Sequence, residues 1–131
     1  MKYSRSEKKK REEQREEIIY SLPSFINQLL LLSDCGLVLS SCILKMGETY
    51  SRLPEERQNY FTRNIVEICN ESKETNESVI NLFQRFARFS GVKELTRIGN
   101  ILMENKSKGT DLWTDLKNSQ TTYGRKENNL P

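Results

Sequence analysis

Apolar residues recur at spacings of three and four along nearly the whole chain, and glycine, proline or a short polar cluster closes each such stretch. That period places one apolar stripe on each of a series of helices, and no stretch shows the alternation of a strand. Leu22, Phe25, Ile26, Leu29 and Leu30 form one stripe, and Leu37, Leu39, Cys42, Ile43 and Met46 the next. Phe61, Ile65, Ile68 and Cys69 form a third, and Val79, Leu82, Phe83 and Phe86 a fourth, with Phe89 partly off its face. Val92, Leu95, Ile98 and Leu102 follow, then Leu112 and Leu116 with Trp113 beside them. The pattern predicts an all-α fold, a compact bundle of six to seven short antiparallel helices.

The punctuation sets the expected boundaries. Residues 2–20 are almost entirely charged up to Ile18 and rich in helix formers. Ser21-Leu22-Pro23-Ser24 is expected to break this run, because proline favours a first helical turn and restrains the residue before it. The chain therefore divides into a charged arm, 1–21, and a helical domain, 22–131. Gly36, Gly91 and Gly109 stand where helix-ending glycines belong. Gly47 and Leu53-Pro54 mark a further break, with Pro54 and two glutamates opening the next helix. Thr75 and Ser78 offer capping side chains after a polar linker. Thr110 or Asp111 would cap the last helix.

Several classes of chemistry are excluded. The 131 residues contain no histidine, which removes His-based triads and His-ligated metals. Cys35, Cys42 and Cys69 are odd in number, form no CxxC pair, and read as small buried hydrophobes of a reducing compartment. Glu12-Glu13, Glu16-Glu17 and Glu55-Glu56 are adjacent pairs, pointing about 100° apart on a helix and sharing no site. No glycine pattern encodes a phosphate cradle. These residues hold no catalytic, cofactor or metal site, and the chain reads as an interaction module and not an enzyme.

Charge narrows the partners. Residues 1–20 hold seven Lys/Arg against five Glu, and the remainder fourteen against thirteen acids, for a net +3. A dedicated nucleic-acid binder clusters its cations on one element, so no nucleic acid is expected. "KKKR", Lys8, Lys9, Lys10 and Arg11, is the one dense run. It reads either as a solvated helix face or as a lipid-contacting arm. The charged start, with no apolar run after it, does not read as a secretory signal, and no stretch reaches the about 18 apolar residues of a spanning helix.

The order of features resembles the F domain of type II secretion and type IV pilus platform proteins. The resemblance rests on Leu22-Pro23, the apolar run Phe25 to Leu32, Cys35-Gly36-Leu37, the second run Leu39 to Met46, and later Gly91-Val92 and Gly109. A single copy after a charged arm is most similar to the Tad-type pilus platforms. Cys42-Ile43 stands where the family often has Ala-Leu, and "KETNES" where it often has a glycine. The resemblance implies a domain of a bacterial cytoplasmic-membrane protein that faces the cytoplasm between flanking spans. It implies three partners: an assembly ATPase, further platform copies or a paralogue, and pilin-like subunits. The alternatives are a free-standing cytosolic helical adaptor, or a nucleic-acid-binding helical domain using "KKKR" and the phenylalanines. The last predicts steeply salt-dependent binding.

Overall fold

The computed structural model describes residues 5–105. They form α1 (Arg5–Asp34), α2 (Leu39–Ser51), a 3-10 turn (Glu55–Arg57), α3 (Tyr60–Thr75), α4 (Val79–Ser90) and α5 (Lys93–Asn105), with no strand among them. The all-α expectation holds. The described residues contain five α-helices where six to seven were expected. The helix expected from Thr110 and its cap at Gly109 lie outside the described residues.

One correction concerns Pro23. The chain does not break there: α1 runs 30 residues straight through it, and through the boundary between arm and domain. Proline withholds one helical hydrogen bond and crowds the carbonyl four residues back, at a cost of about 3 kcal/mol. That carbonyl belongs to Ile19, and both Ile19 and Pro23 lie on the exposed side, where water can serve it. On the opposite side Ile18, Leu22, Phe25, Ile26 and Leu29 are almost completely buried. Each contributes roughly 1.5–3 kcal/mol on burial, so packing on both sides of Pro23 outweighs its local cost.

The glycine at 47 does not end a helix either. It lies inside α2, is buried, and lets α2 approach α3 closely; a Cβ there would sit 2.5 Å from Cys69 Sγ. Pro54 likewise does not open α3. It precedes the 3-10 turn, and Gln58 is extended again. α3 starts at Tyr60 because Asn59 and Thr62 cap each other: Thr62 N donates to Asn59 Oδ1, and Asn59 N to Thr62 Oγ1, both at 2.9 Å. Such a reciprocal box satisfies two of the amide donors that a helix start leaves open. Ser78 caps α4 as expected, accepting from Asn81 N, whereas α3 ends on Asn76 in the left-handed region, φ 63°.

The core is assembled around three rings. Phe25 of α1, Phe61 of α3 and Phe83 of α4 are fully buried. Phe25 stacks on Phe83 at 5.5 Å and meets Phe61 edge-on at 5.2 Å. Tyr50 of α2 reaches Phe61 from the other side, and burial pushes its hydroxyl up to about 12. α5 closes the bundle with Leu95, Ile98 and Leu102.

Candidate interaction surfaces

The residues expected to carry function fall into separate places. Leu22 is core and Pro23 is exposed on α1. Cys35, Gly36 and Leu37 form the α1–α2 turn. Gly36 has φ +93°, its N–H bonds to Ser33 O, and Leu37 N–H reaches back to Leu32 O. This pair of bonds is a Schellman cap, and Leu32 and Leu37 supply its apolar contact with the core. No atom would obstruct a side chain at Gly36, so the cost of substitution there is conformational. Gly36→Val is expected to lower stability by about 1–2 kcal/mol, read from a thermal melt; an unchanged melting temperature would show that the cap does not need glycine.

Gly91 ends α4 with φ +72°. The two-residue passage into α5 is held by side chains. Ser90 Oγ donates to Ala87 O and accepts from Val92 N–H, while Thr96 Oγ1 bonds Ala87 O and Val92 O. Both helical hairpins are therefore joined by turns closed by hydrogen bonds.

The cysteines divide in two. Cys42 and Cys69 are buried as expected, and desolvation raises both thiols. Cys69 also lies within 3.5 Å of Ile43 O. Cys35 is exposed, contrary to expectation, because it follows the last helical residue of α1 on the outside of the turn. A neutral thiol reagent is expected to modify Cys35 in the native chain at once. Cys42 and Cys69 should react only on unfolding, and raising pH within the native range should not release them. Rapid titration of more than one thiol would contradict the packing between α2 and α3. Among the described residues, no group of three or more His, Cys, Asp or Glu side chains is placed to hold a metal ion.

The arm is only partly an arm. Lys8, Lys9 and Lys10 are exposed and Arg11 is half-buried. Being consecutive, they point about 100° apart around the helix and do not make one cationic face. Exposed Glu12, Glu13 and Glu16 lie among them. One turn further, α1 is fastened to the start of α3. Glu17 Oε1 accepts from Tyr60 N–H at 2.7 Å, and Ser21 Oγ accepts from Asn59 Nδ2 at 2.8 Å. A carboxylate at this position suits the positive end of the helix dipole. Sequence reading missed this junction because its partners lie about forty residues apart.

A second feature also went unread. Arg11, Gln14 and Arg15 of α1 line a small crevice with Ile18, Tyr60, Phe89 and Ser90. Phe89, 74% exposed, also borders an open groove between α4 and α5, lined by Asn81, Gln84, Arg85, Arg88 and Met103. Four arginines from two distant segments thus flank one exposed ring. The 3.6 period of α4 correctly put Phe89 off the core face, but nothing local indicated that Arg11 and Arg15 approach it. No helix among the described residues is long and apolar enough to cross a membrane. Compared with known protein families, curated proteins and solved structures, the chain matches none.

Proposed function

We propose that this chain is the cytoplasmic domain of a membrane platform protein for type II secretion or Tad-like pilus assembly. In this reading it docks the assembly ATPase and couples it to polymerisation of pilin-like subunits, with further platform copies beside it. The observation that carries the reading is the order of motifs: Leu22-Pro23, an apolar helix, Cys35-Gly36-Leu37, a short second helix, then Gly91-Val92. It is supported by the two short glycine turns, each closed by backbone hydrogen bonds. Such a domain needs no active site. It needs helices that move together when a partner pushes on them.

The test is the full reading frame, followed by co-purification. Apolar stretches of about 20 residues on either side of this segment, and capture of the neighbouring ATPase by the full protein, are expected. A frame without such stretches overturns the reading and leaves a free-standing helical adaptor. The lipid role of the arm is tested separately. Replacing Lys8, Lys9, Lys10 and Arg11 by Glu should reduce binding to anionic liposomes; unchanged binding removes that role.

A further inference from the structure

We propose that the outer face of α1 is the surface on which two copies of this chain pair, in an antiparallel, two-fold contact centred between Ser24 and Asn27. Residues 5–17 carry six basic and five acidic side chains, and residues 18–33 carry no charge, in a chain of which 30% is charged. Burial explains only part of that absence. Ile19, Tyr20, Pro23, Ser24, Asn27 and Leu31 are all exposed, and Tyr20 and Leu31 keep 83% and 65% of their surface in water. A solvated helix face places charged or polar residues at such positions. Tyr20, Ser24, Asn27 and Leu31 follow the four-three-four spacing of a helix-pairing seam. They lie within about 60° of one another around the axis, on the side away from the buried Ile18, Leu22 and Leu29.

The chemistry of the face selects its occupant. A strip without charge attracts neither an acidic nor a basic partner, and Ser24 and Asn27 at its centre are ill suited to lipid, which offers polar groups no partner. A second α1 matches the strip from end to end. In an antiparallel pair Tyr20 meets Leu31 of the second copy at both ends, ring against branched side chain. Ser24 meets Asn27 of the second copy, a hydroxyl and an amide able to hydrogen-bond. The same register carries each charged segment, 5–16, past the end of the other α1. A parallel pair would set every one of those charges beside its own copy, where like charges repel. The seam is short. The eleven residues from Tyr20 to Leu31 rise about 16 Å, and a helix is about 10 Å wide, which is well under the ~800 Å² per partner of a stable interface. The pair is therefore weak in solution and forms at high local concentration. Further platform copies, where the proposed function places them, would meet on this face, and to that extent the pairing rests on that reading.

Sedimentation equilibrium of the full chain, from about 10 μM to about 1 mM, tests the pairing. The weight-average mass is expected to rise with concentration from that of one chain toward that of two. At the low end of this range the chain is a monomer, so exposed substitutions on this face leave its stability as it is. Tyr20→Glu and Leu31→Lys should each weaken association about tenfold or more, since each sets a charge against an apolar partner. Circular dichroism should not change, because both positions are exposed. Mixed in equal amounts, the two variants should associate about as tightly as the native chain. One end of the mixed pair then joins the new carboxylate to the new ammonium, and the other restores Tyr20 against Leu31. A chain that stays monomeric throughout, or association indifferent to either substitution, overturns the proposal. A mixture no tighter than its separate components overturns the antiparallel register. None of these outcomes touches the flanking apolar stretches or the capture of the ATPase, on which the platform reading is tested.

Discussion

Phe25→Ala is expected to lower the stability of the chain by about 3–5 kcal/mol. Phe25 has no exposed surface, and its ring touches two others from different helices. Phe61 in turn meets Tyr50 and Phe86, both at 6.4 Å. Removing Phe25 therefore opens a cavity where α1, α3 and α4 converge, and loosens the ring through which α2 is joined. Domains have roughly 5–15 kcal/mol in total, so the variant loses a large part of it. Urea denaturation should show a lower midpoint at an unchanged slope. Tyr20→Ala is the control: Tyr20 is 83% exposed, and a surface change of this kind stays within about 0.5 kcal/mol. Equal effects of the two substitutions would contradict the packing described.

Gly47→Ala should destabilise by about 1–3 kcal/mol, although in an exposed helix interior the same change gains up to about 1 kcal/mol. The sign is thus the informative part. An alanine Cβ would lie 2.5 Å from Cys69 Sγ and 3.1 Å from its Cβ. Neither can yield easily, since the cysteine side chain is short and α3 holds its backbone. Cys69→Ala removes the closer of the two atoms. The double variant should therefore lose less than the sum of the single losses, a coupling expected of residues in direct contact. A stabilising Gly47→Ala would mean that α2 and α3 are further apart than described here.

What the sequence made legible was periodic or conformational. The stripes of Leu22 to Leu30, Phe61 to Cys69 and Val92 to Leu102 are buried because a 3.6 period has only one way to face a core. Gly36 and Gly91 were readable because a positive φ leaves few alternatives to glycine. Pro23 misled because its local cost is real while the packing that outweighs it is distributed over several turns. Ile18, four residues before Leu22 and 1% exposed, was the available sign that the stripe continues through the proline. Gly47 looked like a break because a glycine that admits a neighbour and a glycine that ends a helix read alike. Asn59 prevailed over Pro54 through a reciprocal bond with Thr62, a pattern three residues long that a proline-first reading passes over. The arginines round Phe89 were illegible for a different reason, since only the tertiary fold brings residues 11 and 15 to residue 89.

The junction of Glu17 and Ser21 with the start of α3 has a mechanical consequence. A helix can in principle slide along its neighbour by one turn, about 5.4 Å, exchanging each residue for the one four positions away. Slid one way, α1 would bring Gln14 into the seat of Ile18 and Ser21 into that of Phe25. Slid the other way, it would bring Ser33 into the seat of Leu29 and Asp34 into that of Leu30. Either movement buries polar groups without partners, at about 1–3 kcal/mol or more for each; the second also puts Ser21 in place of the Glu17 carboxylate at the Tyr60 amide, whereas the first would bring Glu13 there. α1 is therefore latched along its axis in both directions. A force applied at its Arg5 end has to carry α3 with it.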